Sequence, residues 1–212
     1  MHGVGYDFIL TRRLWKDLTF RADFNHYELD DYTVWADTDS EYFNDSPWGR
    51  RMRDLQNVSK DGVEVNVNGH VTDKLAFNLG YSYQIWDSDG TYAAAAEELS
   101  DRARHSGNLG FEYRILKNTL LMADYSYQGE QTAHIVKEDP PESGNQISYT
   151  NHMDSYNVFD FALEQIIFKD TGSIEEMTLK VYCNNAFDEN YEEKQGLPMT
   201  DRTFGITLGC SL

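Results

Sequence analysis

No run of apolar residues in this sequence is long enough to make a membrane helix. Such a helix needs about 18 to 20 in succession, and polar side chains interrupt every apolar stretch sooner. Mean hydropathy is −0.63. Helical spanning is thereby excluded, but spanning by strands is not, because barrel strands keep half their side chains polar. Basic residues are also scarce: 18 Lys and Arg stand against 36 Asp and Glu, a net charge of −18. No basic stripe is available to displace counterions from a phosphate backbone, so nucleic acid is not an expected partner.

Cysteine occurs twice, at Cys183 and Cys210. Both fall on apolar positions of alternating segments, which favours free thiols over a disulfide. Neither a Cys-x-x-Cys pair nor a Cys/His cluster is present, so no zinc site is expected. The Asp-rich stretch 37–45 lacks the ordered ligand series of a calcium loop. Gly-x-Ser-x-Gly, His-Glu-x-x-His and phosphate-loop motifs are missing, and the carboxylates are dispersed rather than grouped with a base. Neither an enzyme nor a cofactor is expected. The first residues, His2-Gly3-Val4-Gly5-Tyr6, show no charged n-region and no apolar h-region of an export signal.

What the sequence does have is aromatic residues, 14% of the total, with 14 Tyr and 11 Phe. Many of them sit in segments of strict alternation. The clearest is Leu75, Phe77, Leu79, Tyr81, Tyr83 and Ile85 against Ala76, Asn78, Gly80, Ser82, Gln84 and Trp86. Period-two alternation of this kind is a β-strand with one apolar and one polar face. Nine such strands are read along the chain, with a slip of parity near His26 in the second. Asp23, Glu64, Asn66, Asn78, Gln84, Glu112, Asp124, Asp160, Glu164 and Lys180 share the polar parity.

The connections alternate in length. Short ones fall near residues 14, 73, 117 and 172, and long ones near 45, 95, 140 and 192, the first running from about 36 to 54. The 93–99 stretch suits a helical turn or two. The closing segment alternates Phe204, Ile206, Leu208, Cys210 and Leu212 with Thr203, Gly205, Thr207, Gly209 and Ser211. Alternation alone suits a soluble β-sandwich, for example a glycan-binding module, as well as a barrel. The rhythm of the connections and the greasy final strand favour the barrel. Trp15, Trp35, Trp86, Tyr127 and Tyr156 lie near strand ends, as in an aromatic girdle. The fold class expected is all-β: an antiparallel up-and-down transmembrane β-barrel segment of about nine strands, open if alone.

The region around that last strand carries a specific pattern. Asn185-Ala186-Phe187-Asp188-Glu189-Asn190-Tyr191 is followed by Gly196-Leu197-Pro198-Met199-Thr200-Asp201-Arg202-Thr203-Phe204. It resembles the C-terminal end of TonB-dependent outer-membrane receptors, Asn-Leu-Phe-Asp-x-x-Tyr and then Gly-x-Pro-x-Pro-Gly-Arg and an aromatic. Asn185, Phe187, Asp188, Tyr191, Gly196, Pro198, Arg202 and Phe204 match; Ala186, Thr200, Asp201 and the final Leu212 depart. Segments 57–87, 104–114 and 125–131 resemble further strands of the family.

The resemblance implies that residues 1–212 form the C-terminal portion of a barrel of about 22 strands, without the plug domain or TonB box. It implies the outer membrane of a Gram-negative bacterium, with outer-membrane lipid around the wall. The barrel-assembly machinery would read the terminal strand, and TonB would act only through a plug region missing from this chain. The solute implied is a ferric siderophore first, with cobalamin or haem as other members' cargo. Tyr42, Trp48, Arg50, Arg51, Arg53, His134 and His152 are candidate ligand contacts in the long connections. His134 and His152 share one of these, which would suit haem. A passive porin-like barrel is a rival reading.

Overall fold

In the computed structural model, residues 2–15, 17–37, 50–89, 102–138, 146–171 and 174–211 are described. They form thirteen strands: β1 (His2–Trp15), β2 (Leu18–Asp37), β3 (Arg50–Thr72), β4 (Leu75–Asp89), β5 (His105–Leu116), β6 (Thr119–Gln128), β7 (Gln131–Glu138), β8 (Gln146–Met153), β9 (Tyr156–Thr171), β10 (Ile174–Asn184), β11 (Glu192–Lys194), β12 (Leu197–Pro198) and β13 (Thr203–Ser211). No helix occurs among the described residues. The helical turn expected near 93–99 lies outside them.

Nine strands make one antiparallel sheet in the order β1-β2-β3-β4-β5-β6-β9-β10-β13. Each pairs with its predecessor in that order, as in an up-and-down wall. Among the described residues β1 and β13 do not pair with each other, so the sheet is open at two edges.

Expectations from the sequence need correction in β2 and β3, and the connection expected near 140 contains the β7–β8 hairpin. The connection expected over 36–54 is shorter, because β2 and β3 continue as a hairpin in which Tyr32 pairs with Leu55 and Asp37 with Arg50. The parity slip expected near His26 is not there: Tyr6–His26 and His26–Asp61 are in register on both sides. The irregular residue is Asp31, at φ 55°, between the pairs Asp30–Asn57 and Tyr32–Leu55. Asp is among the few residues that adopt this conformation readily.

The trimmed end of the sheet is built from tight turns. Thr72 Oγ1 accepts the backbone N–H of Lys74 at 3.2 Å and of Leu75 at 3.1 Å, closing the β3–β4 turn. Register breaks at Arg13/Trp15, His70/Thr72 and Arg114/Leu116 gather at this same end. Gly69 lies there with φ 142°, where a Cβ would collide with the Asp17 carbonyl.

Register places Phe8, Phe24, Val63, Tyr83, Phe111, Phe161, Val181 and Ile206 on one face. Much of that face is uncovered: Phe8 is 65% exposed, Ile206 74% and Phe204 76%. Only Ala22, Val58, Ala103 and Val158 are buried apolar residues among those described. A sandwich would bury the apolar parity against a second sheet. Here the two extra sheets are the small hairpins β7–β8 and β11–β12. An uncovered apolar face of this extent is foreign to soluble monomers.

The apolar face has an upper margin toward the long connections. Beyond Phe24 and Val63 the same parity carries His26, Glu28 and Asp61, with His26 Nδ1 2.7 Å from Asp61. Across the sheet the margin is marked by hydrogen-bonding rings: Tyr81 and His105 meet at 2.8 Å, and the Tyr125 hydroxyl donates to Asn157 Oδ1 at 2.6 Å. Aromatic bodies with polar tips suit a boundary between hydrocarbon and water. With 20 and 23 residues, β2 and β3 run well past an apolar band of about 25 Å.

Candidate functional site

The elaborated end of the sheet carries the candidate site. On β4, Gln84 and Trp86 occupy the polar parity. Trp86 therefore lines the site and does not face the girdle side. The segment before β5, Arg102-Ala103-Arg104, is pinned to them. The Gln84 backbone N–H donates to the Arg104 carbonyl at 2.9 Å, and Gln84 Nε2 to the Ala103 carbonyl at 3.4 Å. Ala103 is buried beneath this contact. The result lays the Arg102 guanidinium over the Trp86 ring, 4.4 Å from its centroid.

A second cation comes from β3. Lys60 stands in register between Tyr27 and Trp86. Its ammonium is 5.8 Å from the Tyr27 ring and 5.6 Å from the Trp86 ring. Contacts of this kind contribute about 0.5–2 kcal/mol each, enough to hold the side chains without neutralising them. Two basic groups therefore share one indole in a chain of net charge −18.

Beside them a cavity of about 400 Å³ is lined by Gln84, Trp86, Arg102, Arg104, Gln131 and His152 among others, with Glu130 as its carboxylate. It lies where β4, β5, β7 and β8 converge. Cations, a flat aromatic surface and amide donors together suit a multiply charged anion with planar groups. No cluster of His, Cys, Asp and Glu among the described residues forms a metal site.

His152 is the one sequence-derived ligand candidate whose side chain is placed in this cavity. Tyr42 and Trp48 lie outside the described residues. Arg50, Arg51 and Arg53 fall at the start of β3 and His134 in β7, but their side chains are likewise outside what is described. His134 pairs with Thr150 and His152 with Thr132, so the two histidines are not opposite each other on the hairpin. Arg102, Arg104, Lys60 and Gln131 were not singled out from sequence. A basic pair one residue apart, just before an alternating segment, was the available signal.

The residues of the C-terminal pattern converge on a different task. They build the last long connection, between β10 and β13. Asn185 is buried, 4% exposed, in the left-handed region at φ 47°. Its N–H donates to Asp160 Oδ1 at 2.7 Å and its amide to the Glu189 carbonyl at 2.8 Å; its Oδ1 accepts the Glu189 N–H at 2.8 Å. The Arg202 guanidinium reaches the Ala186 carbonyl at 3.3 Å. Tyr191 stacks on Tyr156 at 4.4 Å, and Gly196, at φ 75°, donates its N–H to Glu192 at 2.7 Å. Pro198 pairs with Glu192 in the β11–β12 hairpin. Phe204 points out of the apolar face.

The hairpins of two long connections, β7–β8 and β11–β12, touch. Gln131 donates to the Glu193 carbonyl at 3.3 Å and Asn151 to Gln195 at 2.8 Å. The cavity wall is thereby tied to the last loop. Burial, then the charge of Glu193, raises the pKa of Tyr191 above its ordinary value of 10.0.

No protein-family model matches the chain, and no curated protein sequence does. Solved structures do. The ferripyoverdine receptor of the outer membrane of Pseudomonas aeruginosa superposes with a TM-score of 0.73 at 14% identity, covering 97% of this chain and 26% of the receptor. The siderophore receptor PiuA from Acinetobacter baumannii gives 0.69 at 15% identity over 97% of this chain and 28% of PiuA. The ferric-catecholate import receptor Fiu from K12 E. coli gives 0.67 at 17% identity over 97% and 27%. The chain thus spans about a quarter of the length of the receptors it matches. At these identities the likeness is one of fold: an open segment of a receptor-type β-barrel, the fold implied by the resemblance to TonB-dependent receptors. The matched proteins are receptors, not enzymes.

Proposed function

We propose that this chain forms the C-terminal part of the barrel wall of a TonB-dependent receptor, and that its outer-end cavity contacts a ferric siderophore during uptake. The observation carrying the solute is the Arg102 guanidinium on the Trp86 indole, beside Arg104 and His152, in a chain otherwise strongly acidic. A cationic, aromatic mouth attracts an anionic chelate and offers it a flat surface. The remaining parts of the proposal follow the family resemblance. The apolar face meets outer-membrane lipid of a Gram-negative bacterium, the barrel-assembly machinery handles the terminal strand, and TonB acts through a plug elsewhere.

Within this reading the chain's own work is positioning. Gln84 fixes Arg102 and Arg104, the β7–β8 hairpin supplies Gln131 and His152, and the last loop holds that hairpin in place. Cobalamin and haem fit less well. Cobalamin makes little use of paired guanidinium groups, and of the two histidines that line the cavity, His105 is engaged with Tyr81 at 2.8 Å.

Tryptophan fluorescence of the chain, titrated with ferric siderophores, cobalamin and haem, tests the solute. Saturable quenching by a ferric siderophore, lost in W86F, is expected. Binding of cobalamin or haem alone, or of none of them, would refute the assignment.

A further inference from the structure

We infer that Phe187, on the last outer loop, is a membrane anchor whose ring lies among lipid acyl chains at the outer margin of the apolar face. Phe187 belongs to a loop, yet its ring does not turn toward the polar side. It meets Phe159 edge-on, with centroids 5.1 Å apart, and Phe161 at 6.5 Å. Phe161 is level with Cys183 on β10, and both rings share the parity of the exposed apolar face. Phe187 thus extends that face by one row beyond the end of the β10 ladder. It stays 68% exposed, so the protein itself does not provide its cover.

The loop is rigid where it matters. Ala186 N–H donates to the Phe159 carbonyl at 2.8 Å, directly before the ring. Asn185 is fixed by the contacts described above, and Asp188, on the other side of Ala186 and Phe187, accepts the Arg202 backbone N–H at 2.8 Å. Holding an apolar ring outward in a braced loop costs free energy in water and is favourable only against an apolar partner. Continuity with Phe159, Phe161 and Phe204 identifies that partner as lipid. A tryptophan or phenylalanine near the headgroup boundary is a common anchor of membrane proteins. The inference rests on the reading that the apolar face contacts lipid. It adds that the loop, and not only the strands, enters the bilayer.

The test compares the full chain and its F187W variant in phosphatidylcholine vesicles. Flotation first shows whether the chain associates with lipid. The added emission of F187W is then challenged with lipids brominated near the top of the acyl chain and with aqueous iodide. It is expected to be quenched several-fold more by bromolipid than by iodide, and N185A in the same background is expected to reverse that preference. Quenching by iodide alone, in chains that float, would overturn the anchor while leaving the lipid-facing wall intact. Protection from both quenchers would mean that a second copy covers the ring, and would overturn it too. Chains that fail to float would overturn the reading on which it rests. An unchanged far-ultraviolet circular dichroism spectrum for F187W guards against misfolding.

Discussion

Asp188 and Arg202 close the β10–β13 connection on itself. The carboxylate accepts the Arg202 backbone N–H at 2.8 Å, and its second oxygen lies 3.7 Å from the guanidinium. Asp188 is also in the left-handed region, at φ 61°. One residue therefore turns the chain and fastens the start of the final strand. The residues that carry the family resemblance in sequence form, in space, a loop brace.

The brace predicts a local stability effect. Asn185→Ala removes hydrogen bonds from a buried amide and leaves carbonyls without their donor. A loss of about 1–3 kcal/mol is expected for this loop. Hydrogen exchange of the Glu189 and Arg202 amides should quicken, while β4–β6 amides keep their protection. A uniform increase across the sheet would mean that Asn185 acts globally.

Alkaline pH should open the same loop. Tyr191 is raised above 10.0 mainly by burial, so its neutral form is favoured in the folded state. The stabilisation is fully present below pH 10 and is lost as pH climbs through the raised value. Tyrosinate absorbance and loop protection, measured together, are expected to change together above pH 10. Tyr191→Phe should move the loss of protection to higher pH.

The two faces of β13 make a paired prediction. Ile206 lies on the apolar face and Thr207 on the polar one, paired with Val181 and Lys180. Ile206→Lys near the middle of the bilayer should cost about 2–4 kcal/mol and reduce vesicle association. Thr207→Glu, opposite Lys180, should leave association within about twofold, since the polar parity tolerates charge. Equal effects of the two would remove the facial assignment.

Arg102→Gln should weaken an anionic ferric siderophore about tenfold, consistent with loss of one charge-assisted contact, with no change in circular dichroism. Arg102→Lys should recover only part of this, because the planar stack on Trp86 is lost. Equal affinity in all three forms would place the ligand elsewhere.

Strand identity was legible in the residues because period-two alternation is local: Leu75–Ile85 needs no neighbour to be read. The register through His26 was misread for a related reason. A polar residue on the apolar parity looks like a slip, yet His26 simply lies past the last apolar row of β2, paired with Asp61. The β7–β8 hairpin was not seen as strands, since its short arms lack the regular greasy face of the wall. The cavity was least legible. Arg102 gains its position from Gln84 and Trp86 on another strand, and such contacts leave no mark in spacing.

Partition between water and bilayer tests the lipid-facing wall most directly. The chain, mixed with phosphatidylcholine vesicles and spun through a density gradient, is expected to float with the lipid and to resist alkaline wash. A chain that stays monomeric in the aqueous phase without detergent would contradict an apolar face made for lipid.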